Sequence, residues 1–187
     1  MRVTIPEDCK NINVLLSGGV DSTLLLFLLM KERRLTNNFV RIKCFVMNSP
    51  TTAYKHVLNW VSLYFEEEIP FQRMTRRFIR QAVENILLIS PDGYVFTGCN
   101  VVVTDEFVPT VYLHGDTPPK RGPEYSERHL RPFIDVTKDV LIKEYETHGI
   151  LDLFKLTVSC GVSDVPCGGC YFCMERQWGV EKAGIVL

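Results

Sequence analysis

The stretch Asn11-Ile12-Asn13-Val14-Leu15-Leu16-Ser17-Gly18-Gly19-Val20-Asp21-Ser22 decides the fold of this chain. Its first part, Asn11 to Ser17, is a short apolar run of the kind that forms a buried strand. The run ends in Ser-Gly-Gly. From Asp21 to Arg34 the sequence then reads as a helix, apolar on nearly all sides and therefore buried. A buried strand that turns through two glycines into a buried helix is the opening unit of an α/β sheet.

Outward from this unit the pattern repeats. Arg41 to Asn48 is a second strand, stopped by Ser49-Pro50. Ala53, Val57, Trp60, Val61, Tyr64 and Phe65 recur at helical spacing and mark an amphipathic helix. A short strand spans Phe71 to Thr75. Arg76 to Ile89 reads as a third helix, with Phe78, Ile79, Ala82, Val83, Ile86 and Leu87 turned inward. Pro91-Asp92-Gly93 leads into a fourth strand, Tyr94 to Cys99. Strands alternating with helices of this length imply βαβ units, hence an α/β, Rossmann-like parallel sheet with helices on both faces. Such sheets bind ligands outside the carboxyl ends of their strands. That brings Ser17 to Ser22, Met47-Asn48 and Gly98 to Asn100 around one crevice. Val103 to Pro132 is proline-rich and shows no clean period, and is read as an excursion that covers substrate or contacts a subunit. The last helix expected, Lys138 to His148, ends at Gly149 as a left-handed cap would.

With 187 residues, the chain has the size of one domain with a full core, 1–187, and residues 157–187 form a cysteine-bearing subregion of it. A hydrophobic fraction of 46% and a charged fraction of 23% exclude disordered, collagenous and coiled-coil classes. The longest apolar run, Leu24 to Met30, is too short to span a bilayer. Glu7, Asp8 and Lys10 interrupt what would be the apolar core of a signal peptide, so a cytoplasmic protein without a membrane partner is expected. A net charge of −1 leaves no footprint for long nucleic acid. The basic run Arg73, Arg76, Arg77 and Arg80 alternates with a buried helix face and reads as solvated surface, so no nucleic-acid partner is expected.

The glycine loop carries chemistry. Two consecutive glycines let the backbone approach an anion closely, and Ser17, Ser22 and the free amides of the helix start supply donors. Asp21 could hold a Mg²⁺ that screens phosphates. No Gly-Lys-Ser/Thr follows, which excludes a P-loop kinase or GTPase. The plainer alternative is a strand–turn–helix in which Asp21 merely caps the helix. Thr137 is the expected N-cap of the later helix and places Lys138 in its first turn. A cation there opposes the helix dipole, so something should compensate it. A bound polyphosphate would; otherwise the ammonium simply points into water.

Of seven cysteines, Cys9 is isolated, and Cys44 and Cys99 read as small core residues. The other four, Cys160-x6-Cys167-x2-Cys170-x2-Cys173, match tetrahedral zinc held by thiolates in a structural site. An iron–sulfur cluster is the rival, but the ferredoxin run continues with a cysteine where this chain has Gln177.

The hexapeptide Ser17 to Ser22 resembles the signature of the PP-loop ATP pyrophosphatases, which are adenine nucleotide alpha hydrolase-like domains. Taken in order, the chain is similar to the 7-cyano-7-deazaguanine synthases of that family. The likeness covers Val14 to Thr23, Gly98-Cys99-Asn100, Arg131 to Lys138, Thr157 to Cys160, and Cys167 to Arg176. It departs in the middle, where Asn48 to Thr52 and Val101 to Asp105 replace the residues expected around the base. The resemblance implies ATP bound by Leu15, Leu16, Ser17, Gly18, Gly19, Val20, Asp21, Ser22, Thr23, Val46 and Met47. It implies catalytic roles for Asp21 and Lys138, with Lys138 on the phosphates, and substrate contacts at Gly98 and Asn100. It also implies Mg²⁺, a structural Zn²⁺ on Cys160, Cys167, Cys170 and Cys173, and a homodimer. The implied reaction is a carbon–nitrogen ligation: 7-carboxy-7-deazaguanine is adenylated and converted by free ammonia to 7-cyano-7-deazaguanine, with release of AMP and pyrophosphate. Two alternatives stand beside it: adenylation of another acceptor, such as a tRNA base undergoing thiolation, and a non-catalytic nucleotide- or partner-binding module.

Overall fold

The computed structural model describes residues 1–37, 39–47, 51–75, 78–101 and 125–186. Strands Asn11–Leu15 (β1), Arg41–Met47 (β2), Phe71–Met74 (β3), Gly93–Thr97 (β4) and His129–Leu130 (β5) form one sheet. Its order is β3-β2-β1-β4-β5, and every pairing is parallel. The parallel, Rossmann-like sheet is the class that the alternation of strands and helices predicts, and its order adds where the topology reverses. The chain winds outward from β1 to β3 and then returns to the other side of β1, so the topology reverses between β1 and β4. The crevice of such a sheet opens there.

The two faces of the sheet are unequal. Ile12, Val14 and Leu16 alternate into the larger core beneath Val20–Leu35 (α1), Ala53–Phe65 (α2), Lys138–Thr147 (α4) and Leu151–Lys155 (α5). Leu15, Phe45 and Val95 face the other way and are covered by Ala82, Val83 and Ile86 of Ile79–Ile89 (α3). A final helix, Tyr171–Ala183 (α6), packs against α4. α1 is buried along most of its length, as its all-round apolar character requires.

Several expectations are corrected. α4 is followed by two further helices, α5 and α6. α3 begins at Ile79, and its buried stripe is narrower than the sequence suggests: Phe78 and Ile79 are exposed and Leu87 is only half-buried. Tyr64 is likewise exposed, stacked on Trp60 with ring centroids 4.9 Å apart. Of the proline-rich excursion, residues 103–124 lie outside the described residues. Its end is not structureless, because His129–Leu130 adds the fifth strand to the sheet; two residues are too few to show a period. In the basic run, Arg73 and Arg80 are exposed, Arg80 pairs with Glu84 at 2.8 Å, and Arg76 and Arg77 lie outside the described residues. No helix among the described residues is long and apolar enough to cross a membrane.

Candidate active site and metal centre

β1 delivers the glycine loop to the switch point, and the end of β4 meets it there. Gly19 is the residue before α1 and has extended backbone, so the helix cap is Gly19 and Asp21 is free for another role. The loop is tied by its own serines: Ser17 N–H donates to Ser22 Oγ at 3.1 Å, Gly19 N–H donates to Ser17 Oγ at 3.2 Å, and the two hydroxyls lie 3.0 Å apart. The first bond of α1 runs from Thr23 N–H to Gly19 O at 3.1 Å. The amides of Val20, Asp21 and Ser22 precede it and form the electropositive helix start. Gly98 lets β4 come this close. A Cβ on it would stand 2.6 Å from the Asp21 carbonyl carbon and 2.6 Å from Ser22 N, both backbone atoms that cannot swing away. Gly98→Ala should therefore cost about 1–3 kcal/mol in thermal or urea unfolding. Unaltered stability would show that the strand end and the loop can separate freely.

The crevice has two lobes that meet at Ser17, Ser22 and Gly98. One, of about 250 Å³, is walled by the glycine loop, Thr51, Lys138, Ser159 and Phe172. The other, of about 150 Å³, is apolar and lined by Leu15, Phe45, Met47, Ile79 and Cys99. Cys99 is thus a wall of the crevice and not the core residue expected, whereas Cys44 is fully buried and its thiol is pushed upward by burial.

A compact charge cluster occupies the polar lobe. Lys138 Nζ donates to both Asp21 oxygens at 2.6 Å and lies 3.1 Å from Glu175 Oε2. Lys138 is only 3% exposed, so its ammonium does not point into water. The two carboxylates supply the compensation that its place at the start of α4 demands. Burial alone would lower Lys138, but Asp21 and Glu175 outweigh it and raise the ammonium above the ordinary lysine range. Burial pushes Asp21 above the ordinary carboxylate range, against the pull of Lys138 and with help from Glu175. Thr137 occupies the cap position of α4, although its hydroxyl makes no capping bond.

The four C-terminal cysteines converge. Their Sγ atoms all lie within 4.8 Å of one another, and Cys170 is the cap residue of α6. A single ion with bonds of about 2.3 Å to four thiolates sets sulfur–sulfur edges of about 3.8 Å, so one tetrahedral metal fits this cradle. A cubane cluster gives each thiolate its own iron and needs a wider spread. Burial opposes ionisation of Cys160, but the amides of Val162, Cys167 and Ser163 draw its thiol down to about 6. Burial holds Cys173 up at about 12. A cation would release that proton on binding.

The structure brings Leu15, Leu16, Ser17, Gly19, Val20, Asp21, Ser22, Met47, Gly98 and Lys138 to the crevice walls. Thr23 and Val46 are buried and line neither lobe. Gly18, at φ +83°, shapes the turn without lining either lobe, and its carbonyl accepts from Val158 N–H at 3.0 Å. Asn100 turns to Glu175, donating at 3.1 Å. The sequence reading misses Glu175, Thr51, Ser159 and Phe172 as site residues. The wall Val158 to Gly161 sits directly beside the metal cradle because Cys160 belongs to both.

No protein-family profile matches the chain, and no curated protein matches it. Solved structures give distant likenesses of fold. A Candida glabrata FMN adenylyltransferase in complex with FMN and the ATP analogue AMPCPP is 15% identical, with a TM-score of 0.45 over 71% of this chain and 46% of that one. The U34-tRNA thiolase NcsA of Methanococcus maripaludis, with its [4Fe-4S] cluster, is 12% identical, with a TM-score of 0.48 over 91% of this chain and 64% of that one. A yeast FAD synthetase in complex with FAD is 13% identical, with a TM-score of 0.40 over 74% and 50%. The chain spans about half to two thirds of the length of these structures.

Proposed function

We propose that this chain is a PP-loop enzyme that cleaves ATP between its α and β phosphates to adenylate a small carboxylic acid. The observation that carries the reading is the two-lobed crevice at the switch point. Its polar lobe joins the glycine loop, Asp21 and Lys138, and its apolar lobe is walled by Leu15, Phe45 and Met47. The polar lobe suits a polyphosphate, because helix-start amides and an ammonium face it. The apolar lobe suits a flat aromatic base.

With the β and γ phosphates on the loop, the α-phosphate faces the acceptor. A carboxylate oxygen attacks it, the bond to the β-phosphate oxygen breaks, and pyrophosphate leaves. The loop amides and Lys138 bear the charge that builds on the leaving group. The likeness of Arg131 to Lys138 and Cys167 to Arg176 to the 7-cyano-7-deazaguanine synthases favours a 7-deazaguanine acid as acceptor. Ammonia then displaces AMP to give the amide, and a second adenylation followed by loss of AMP and a proton gives the nitrile. Mg²⁺, held by Asp21, would screen the phosphates. One zinc on Cys160, Cys167, Cys170 and Cys173 would be structural, since four thiolates leave no open position for water or substrate.

Mass spectrometry of the purified protein with ATP, ammonia and 7-carboxy-7-deazaguanine tests this reading. AMP and pyrophosphate are expected, with the nitrile as final product. Accumulation of ADP and phosphate would overturn it, and AMP formed only with another acid would keep the bond cleavage and change the acceptor. Asp21→Asn should lower turnover by about 10²-fold or more, because one charge is lost where negative charge develops.

A further inference from the structure

We propose that Glu175 is a positioning residue for Lys138, one that keeps the ammonium at the pocket wall when Asp21 is drawn away to a nucleotide-bound cation. The inference rests on the reading that the polar lobe takes a polyphosphate with a divalent cation.

An ammonium has three N–H donors. In this structure Asp21 takes Lys138 through both its oxygens, and Glu175 lies on the remaining side. Lys138 has no donor left for a phosphate while Asp21 holds it, and the three groups together carry one net negative charge, which repels an anion. The pocket therefore accepts a polyphosphate only once Asp21 exchanges the ammonium for another cation. At that moment a buried lysine side chain needs a second fixed point.

Glu175 is built to be that point. Its side chain is 4% exposed. Oε1 accepts from Asn100 Nδ2 at 3.1 Å and from the Tyr171 hydroxyl at 3.3 Å, which leaves Oε2 for Lys138. Asn100 lies just beyond the end of β4, Tyr171 opens α6, and Lys138 opens α4, so one carboxylate ties three elements together. One helical turn further on, Gly179 presents the same face of α6 to the lysine stem. A Cβ on it would stand 2.9 Å from Lys138 Cγ. The head and the stem of Lys138 are thus both seated on α6.

The test measures how fast Lys138 reacts with a water-soluble acetylating reagent at limiting dose, read by peptide mass spectrometry, in the metal-loaded protein. The variants are Asp21→Asn, Glu175→Gln and the double substitution. Gln keeps the length of the side chain and its acceptor for Asn100 and Tyr171 while removing the charge that faces Lys138. Asp21→Asn alone should leave Lys138 protected to within about twofold. The double variant should react about tenfold faster or more, as expected when an amine loses both partners that keep it protonated. Tyr171→Phe removes one support of Glu175 without touching its charge, and in the Asp21→Asn background it should give an intermediate rate even if Glu175→Gln does not fold. A rate in Asp21→Asn alone as high as in the double variant would overturn the proposal. Titration calorimetry of the unaltered protein with MgATP separates the two readings. The expected labelling pattern in a protein that binds no MgATP would sink the nucleotide reading alone. Equal rates in all variants of a protein that does bind MgATP would sink the positioning role alone.

Discussion

Cys170→Ser is expected to remove the bound metal and to unfold the C-terminal part of the chain, with a sharp loss of soluble protein. Cys170 is fully buried, its amide donates to Cys167 Sγ at 3.3 Å, and it caps α6. Without the ion, the loop from Cys160 to Cys170 keeps the tie between Asp164 and Thr52 but buries little, since most of its residues from Gly161 to Gly168 are exposed. A structural zinc supplies of order 10 kcal/mol to small zinc-dependent folds. Losing even 3–5 kcal/mol would lower the melting temperature of a chain this size by about 10 °C. Metal analysis of the unaltered protein should give about one zinc per chain and no visible absorbance, and the variant should give close to none. A brown protein with cluster absorbance would replace zinc with iron and sulfur. A metal-free variant that melts at the normal temperature would show that the cradle is not structural.

Lys138→Met should be the second most damaging change, in stability as well as in turnover. A lysine at a helix start, taken alone, is a cation in the wrong place, and its removal would then be neutral or mildly stabilising. Its burial between Asp21 and Glu175 reverses that sign. Removing the ammonium leaves two carboxylates facing each other out of water, and breaking a buried pair in this way costs about 3–5 kcal/mol. The pH dependence follows from the direction already present in Asp21, whose carboxyl is raised by burial and by Glu175 and restrained by Lys138. In the variant the restraint is gone, so the folded form binds a proton that the unfolded chain has released. Stability is then greatest below the ordinary carboxylate range and is lost as pH rises from there through the raised range of the folded form. Urea unfolding from pH 3.5 to 7 should show this slope, and Asp21→Asn in the Lys138→Met background should flatten it. A variant as stable as the unaltered protein at neutral pH would mean that water enters and solvates the carboxylates.

What the sequence makes legible is what local pattern controls. β1 and α1 follow from an apolar run broken by Gly18-Gly19, and the four cysteines follow from their spacing, because a tetrahedral ion constrains neighbours in the chain. The features that escape it have no local signature. α6 buries Tyr171, Cys173, Glu175 and Gly179, a mixed set with no apolar stripe, so periodicity does not announce it. β5 is two residues long and is a strand only because β4 lies beside it. Glu175 resembles any helical glutamate until the fold brings it to Lys138, 37 positions away, with an ammonium between it and Asp21. The sequence reading of α3 fails in the opposite direction. Phe78 and Ile79 are apolar and near the helical period, yet both stay exposed: Phe78 precedes the helix, and Ile79, its first residue, borders the apolar lobe and not the core.

The latch between Val158 N–H and Gly18 O has a consequence for how the molecule comes into being. Synthesis proceeds from the amino end, so the glycine loop emerges from the ribosome some 140 residues before the wall that completes its pocket. Until Val158 to Gly161, Phe172 and Glu175 have followed, the loop lacks that wall of its pocket, and Lys138 lacks one of its two carboxylate partners. Asp164, whose carboxylate accepts from the Thr52 amide and hydroxyl, then draws the late segment across the start of α2. The polar lobe is therefore finished only once Phe172 and Glu175 have emerged, and a nascent chain that stops short of Val158 carries the loop without the pocket.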